Sequence, residues 1–314
     1  MQNFNLTQEI DMLSLHTNIA SMRIQGALAN SQANLTTSMT RLGTGYRINS
    51  AADDAAGLQI ATRLRAQHRG MEVARDKNAS NAKSMLQTAE GAFAEVENIV
   101  QRMKDLATQA ADSSYTQPDR DAMQKEYDAL GNELINIIGN TSYGGEKLFA
   151  QATGSGGVGA GKLTKEMKFQ IGNTAGEVMT LDVSKALEAV TKAFGDISAV
   201  FKAGASGASG ASGGGKDIAA AKDANAMLDK LSAALDSVGG IRAEIGAGQN
   251  RLDHVRANLA NMSSNTKDAE GSIRDVDYAS EAANQAKLTI LQQAGGSMLK
   301  QASQMSQLVL SLLQ

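Results

Sequence analysis

The stretch Phe93–Ala110, FAEVENIVQRMKDLATQA, decides the fold. Its residues Phe93, Val96, Val100, Met103, Ala107 and Ala110 step by 3, 4, 3, 4 and 3. That spacing is a heptad seam along one side of an α-helix. No glycine or proline interrupts it, and Glu95, Glu97, Arg102, Lys104 and Asp105 fill the remaining faces. The same spacing recurs at Ile241, Ile245, Gly248, Leu252, Val255, Leu259 and Met262. It recurs again at Leu288, Leu291, Gly295, Met298, Ala302, Met305, Val309 and Leu312. Near the N-terminus Leu28, Leu35 and Leu42 repeat every seven residues, with Met39 between. Seams this narrow predict long helices in coiled-coil-like contact. An ordinary helical bundle would show the same spacing.

Composition agrees with long helices and removes several function classes. One proline in 314 residues leaves helices free to run uninterrupted. Aromatic residues are 4% and tryptophan is absent, so no large core of aromatic and branched residues is expected. Cysteine is absent, which excludes disulfides, thiolate metal sites and a cysteine nucleophile. Thirty basic against thirty-three acidic side chains, a net charge of -3, give no electrostatic case for nucleic acid. No run of about 18 apolar residues is present, so no membrane insertion is expected. Residues 1–11 lack a basic cluster followed by an apolar block, and no cleaved secretory signal is expected there.

The two ends differ from the middle. Tyr278–Gln314 carries only Glu281, Lys287 and Lys300 as charged side chains, among many Gln, Asn, Ser and Thr. The first forty residues are similarly poor in charge. A helix free in water shows a charged outer face. Neutral polar faces beside an apolar seam suit a helix packed on protein all round, because amides pair at less desolvation cost than ions. The two ends are therefore expected to associate and to be covered by assembly.

Boundaries follow from punctuation. Gly43 and Gly45 are expected to interrupt the first helix. Asn49 and Ser50 offer an N-cap, with Asp53 as a capping-box-like partner and Asp54 in the first turn. Pro118 marks a break between two helices. Lys168–Val183 reads as a hairpin around Gly172–Gly176, and Lys185–Phe201 as a short helix. Gly154–Gly161 and Gly204–Gly215 read as flexible connectors. The fold class is mainly α, with long antiparallel helices in coiled-coil-like bundles, a small β-hairpin and paired termini. Residues 1–44 with 277–314 form a terminal coiled-coil domain. Residues 45–183 with 217–276 form a helical domain containing the hairpin 168–183, and 184–216 form a short tip.

Motifs that imitate chemistry lack its context. Gly156–Lys162 and Gly210–Lys216 match a phosphate-binding loop, but Leu163 and Asp217 follow where a hydroxyl should hold Mg²⁺. His68 and Glu72 are spaced to share a helix face, a pattern more common in solvent than around a metal. No grouping supports a catalytic, cofactor or metal site, and no enzyme activity is expected.

LGTGYRINSAADDAAGL, Leu42–Leu58, resembles the N-terminal signature of bacterial flagellins. SIRDVDYASE, Ser272–Glu281, resembles the C-terminal one, continuing as ILQQAG at 290–295 and VLSLL at 309–313. The signature residues are Arg47, Asn49, Ser50, Asp53, Asp54, Asp277 and Tyr278. The likeness covers about residues 12–183 and 217–314. Residues 1–11 precede the usual family start, and Gln314 stands where a basic or small residue is more usual.

The resemblance implies a secreted structural protein that polymerises into the extracellular filament of the flagellum for motility. The terminal helices would line an inner tube, through Leu28, Leu35, Leu42, Leu288, Leu291, Met298, Met305, Val309 and Leu312. Implied partners are copies of itself, flagellar cap and hook-junction proteins, an export chaperone and the flagellar type III export apparatus. QRMKDLA at 101–107 resembles the segment recognised by Toll-like receptor 5 of animal hosts. Arg102 and Leu106 occupy matching positions, and Glu126 matches an acidic contact. Arg102 and Leu106 are expected to be exposed together. The rival readings are a hook–filament junction protein, which shares the terminal motifs, and a surface adhesin or saccharide-binding module.

Overall fold

The Phe93–Ala110 seam lies at the centre of one helix, and every one of its six apolar positions is fully buried. In a computed structural model, residues 18–149, 152–153, 157–158, 161–201 and 216–312 are described. Helix α1 is Ile19–Thr44 and α2 is Ala55–Val73. One π-helical turn, Ala74–Ala79, joins α2 directly to α3, Ser80–Ala111. Helix α4 is Gln117–Asn140, α5 is Ser184–Ile197, α6 is Ala221–Arg274 and α7 is Tyr278–Leu312. Among the described residues, three two-stranded antiparallel ribbons lie between α4 and α5. They are β1 Ser142–Tyr143 with β2 Glu146–Lys147, β3 Ala152–Thr153 with β4 Gly157–Val158, and β5 Met167–Gln170 with β6 Val178–Leu181. The last is the expected hairpin, registered from Met167 opposite Leu181 to Gln170 opposite Val178.

The chain divides into two compact units, residues 67–264 and residues 1–66 with 265–314. In the first, α3 buries its seam against α4, the hairpin, α5 and α6. Tyr127, Leu134, Phe169, Val190, Leu231 and Ile241 belong to one continuous cluster. The low aromatic content misled here: Phe93, Phe149, Phe169, Phe194 and Phe201, five of six phenylalanines, collect in this core. Phe93 and Phe149 pack with ring centroids 4.8 Å apart. A core is set by where large side chains gather, not by their average frequency. The α3 stripe is also wider than a coiled-coil seam, because Leu106 is buried beside it.

Local chemistry sets the helix ends. Pro118 sits in the first turn of α4, where its missing N–H costs nothing. The Asp119 carboxylate accepts from the Thr116 N–H at 3.0 Å and from its hydroxyl at 2.5 Å. Helix α1 ends at Gly45 alone, whose φ of 75° is left-handed, while Gly43 continues the helix. Asp54, not Asn49 or Ser50, caps α2: its carboxylate accepts from the Gly57 N–H at 2.9 Å. The Ser50–Asp53 pair closes a turn one step earlier, the Asp53 carboxylate accepting from the N–H groups of Asn49 and Ser50 at 3.0 and 2.8 Å. Those bonds hold Asp53 below the usual carboxylate range. The connector read at Gly154–Gly161 contains β4, and its other residues up to Ala160 lie outside the described residues, as does Gly204–Gly215.

In the α6 seam Ile241, Ile245, Leu252 and Leu259 are buried, but Met262 is 39% exposed and Ser263 takes the buried position. The buried face steps 4 rather than 3 after Leu259. A straight helix turns in 3.6 residues, so a strict heptad drifts off its face.

Candidate self-assembly site

Helices α1 and α7 pair antiparallel. The Asn18 side-chain amide donates to the Ala302 carbonyl at 3.1 Å, and the Ser38 hydroxyl to the Glu281 carbonyl at 3.4 Å. Between them the Gln292 amide bonds the Gln32 amide oxygen, and Arg41 lies 3.9 Å from Glu281. The pairing face of α1 is Ser21, Ile24, Leu28, Ser31, Leu35, Ser38 and Leu42, an unbroken heptad. From Leu28 on, leucines alternate with serines along it, while Met39 turns outward at 55% exposure.

On α7 the pairing face runs Glu281, Gln285, Leu288, Gln292, Gly295, Leu299 and Ala302. Leu288 is buried. Leu291 and Met298 were read onto this seam and lie off it, 46% and 59% exposed. The reading stepped to the apolar Leu291 and Met298, whereas the face runs one residue later, through Gln292 and Leu299, with Gly295 between. A Cβ at Gly295 would come within 2.8 Å of a Leu28 methyl, so the helices approach closely there. Met305, Val309 and Leu312 lie in the last turns of α7, where the backbone alone is described.

The pair is far from self-sufficient. Ser38 is the one buried residue of α1, and it is polar. Seven of the twelve large apolar or aromatic side chains exposed among the described residues lie on these two helices. They are Ile19, Met22, Met39, Tyr278, Ile290, Leu291 and Met298.

The two signature motifs meet just beyond this pair. The Arg47 N–H donates to the Arg274 carbonyl and its guanidinium to the Ile273 carbonyl, both at 2.6 Å. The Val276 N–H donates to the Gly45 carbonyl at 3.0 Å. The Arg274 guanidinium stacks 3.9 Å from the centre of the Tyr46 ring. Asn49 donates to the Tyr46 carbonyl, and Asp277 caps α7 through the N–H of Ala279 at 3.0 Å. The Tyr278 hydroxyl lies against Gly45, leaving no room for a Cβ. Arg65 and Arg274 both reach Glu270, at 2.6 and 3.8 Å. Sequence reading passed over Arg65 and Glu270. Their partners lie 205 residues apart, and no local pattern records that.

Arg102 of α3 donates to Glu126 of α4 through two nitrogens, at 2.8 and 2.6 Å, and both side chains are about half exposed. Leu106 does not join them. It is 2% exposed, because the wide α3 stripe turns it into the core. His68 lies 3.9 Å from Glu72, and Lys162 pairs with Glu146 at 2.9 Å. Among the described residues no three His, Cys, Asp or Glu side chains converge as metal ligands.

Residues 15–153 match the model of the bacterial flagellin N-terminal helical region, and residues 228–313 that of the C-terminal helical region. The chain belongs to the bacterial flagellin family. It is 34% identical to flagellin A of Vibrio anguillarum, over 96% of this chain and all of that one. It is 36% identical to a flagellin of Halalkalibacterium halodurans, over 88% of this chain and 90% of that one. A solved structure of a putative flagellar hook-associated protein from Vibrio parahaemolyticus matches 71% of this chain and all of that one. Its TM-score is 0.51 at 17% identity, which shows shared fold alone. Membership makes the chain a structural subunit of the flagellar filament, the extracellular part of the flagellum, and not an enzyme. Self-polymerisation comes with the family. No helix among the described residues is long and apolar enough to cross a membrane.

Proposed function

We propose that the α1–α7 pair is the face through which copies of this chain join. Residues 1–44 with 277–314 then form the inner tube of the filament, residues 45–183 with 217–276 its shell, and 184–216 a short tip. The observation that carries this reading is the row of exposed apolar side chains on a helix pair that buries so little of itself. Identical copies meeting through unlike faces give contacts that do not close, and hence a filament. The test is Ile290→Glu combined with Leu291→Glu in the full chain. We expect no sedimentable filaments, with the helical signal of residues 67–264 retained. Filaments at the wild-type monomer concentration would overturn the assignment.

Secretion through the flagellar type III apparatus with a chaperone, and addition beneath a cap on hook-junction proteins, accompany this reading. Recognition of the released subunit by Toll-like receptor 5 is supported by the exposed Arg102–Glu126 pair. Leu106 takes no direct part, being buried. Arg102→Ala with Glu126→Ala is expected to weaken signalling by monomer in receptor-bearing cells and leave its helical content unchanged. An unchanged response would refute that role.

A further inference from the structure

The methionines sort by environment. Met71, Met85, Met103, Met179 and Met227 are at most 6% exposed, all in residues 67–264. Met22, Met39 and Met298, on α1 and α7, are 62%, 55% and 59% exposed. Thioether oxidation follows access to solvent. We propose that Met22, Met39 and Met298 are an oxidation-sensitive modification site that couples peroxide exposure to assembly competence. The inference rests on the reading of α1–α7 as the joining face.

The chemistry needs only a peroxide as oxidant. The thioether sulfur attacks one peroxide oxygen, the O–O bond breaks, and the sulfur gives up two electrons. The methionine becomes a sulfoxide, and hydrogen peroxide leaves as water. The product is polar and a strong acceptor where a flexible apolar side chain stood. In the free subunit that oxygen faces water and costs little. In a joint between subunits it must be desolvated, and an acceptor taken out of water without a donor in place costs free energy. Oxidation therefore acts on assembly more than on the fold of the single chain. Burial in the polymer would in turn shield the three sulfurs. Reductases specific for methionine sulfoxide reverse the change.

The experiment is modification interference on the full-length subunit. Verified monomer is treated with dilute hydrogen peroxide to about one sulfoxide per chain and then allowed to polymerise. Filaments and unpolymerised chains are separated by sedimentation, and sulfoxides are mapped by peptide mass spectrometry. Sulfoxide at Met22, Met39 and Met298 is expected to be depleted from filaments by about tenfold relative to the unpolymerised fraction. Met262, 39% exposed on α6, is the internal comparison and is expected to distribute evenly. Sulfoxide reductases should return the excluded chains to assembly. Equal sulfoxide in both fractions at all three positions overturns the inference, as does equal oxidation of these positions in filaments and monomer. The Ile290→Glu, Leu291→Glu chain keeps the two ideas apart. If it fails to polymerise while sulfoxides distribute evenly, the joining face stands and the methionine site falls. If it polymerises normally, the joining face itself falls.

Discussion

At Gly45 and Gly43 two glycines two residues apart have opposite roles, and the backbone decides which is which. Gly45 holds a φ of 75°, and a Cβ there would meet the Tyr278 hydroxyl at 2.7 Å. Gly43 is helical, with nothing within 4 Å of the same position. A left-handed conformation costs an L-residue about 1–2 kcal/mol, whereas alanine in place of a helical glycine gains about 0.5–1 kcal/mol. Gly45→Ala is expected to destabilise residues 1–66 with 265–314, and Gly43→Ala to stabilise them. Hydrogen exchange along α1 in the monomer reads both signs. Equal effects would mean that the close approach of Tyr278 to Gly45 is not maintained in solution. The same scale explains a wrong expectation at Leu106. Its spacing from Arg102 puts the two on neighbouring turns, but the edge of the apolar stripe runs between them.

Among the elements, α4 carries a start signal that sequence reading registered only as a proline. Thr116 and Asp119 flank Gln117–Pro118 in the order a helix start requires. The Thr116 hydroxyl and N–H hold the Asp119 carboxyl below its ordinary value. A carboxyl depressed in the folded state stabilises above its unfolded pKa, about 3.9. That contribution is lost as pH falls through the lower folded value. The first turn of α4 is therefore expected to open on acidification below about pH 4. Hydrogen exchange at residues 119–122 is expected to rise in acid, corrected for its intrinsic pH dependence. In Asp119→Asn it is expected to be raised already at pH 7 and to lose that dependence. A wild-type profile flat across this range would show that Pro118 alone sets the helix start.

For the whole molecule, burial is distributed unevenly. Residues 67–264 hold a continuous apolar core from Ala79 to Leu252, whereas α1 and α7 bury one residue each among those described. Isolated helix pairs with so little burial are marginal in water. In monomer, the amides of 19–44 and 278–312 are expected to exchange well before those of α3, and assembly is expected to protect them. Protection of α1 equal to that of α3 in a verified monomer would contradict this ordering. It would mean that the amide and serine contacts of the pair stabilise it without partners.

The chain by itself determined a great deal. Heptad spacing is a local property of helical geometry, so it named α1, α3, α6 and α7, while the charge-poor faces of the two ends pointed to their pairing. Pro118 and the hairpin turn at 172–176 are equally local, set by the backbone limits of their own residues. The family, too, was legible, because its two signatures are contiguous strings. Tertiary structure decided everything that depends on a second element. It moved the α7 face from Leu291 and Met298 to Gln292 and Leu299, on either side of Gly295, where close approach and amide pairing outweigh side-chain hydrophobicity. It widened the α3 stripe to take in Leu106, because several elements pack on that helix. It brought Arg65 to Glu270, and Arg274 onto the Tyr46 ring and the Ile48 carbonyl. Those contacts join residues about two hundred positions apart. Spacing along one helix carries no record of which partner will cover it.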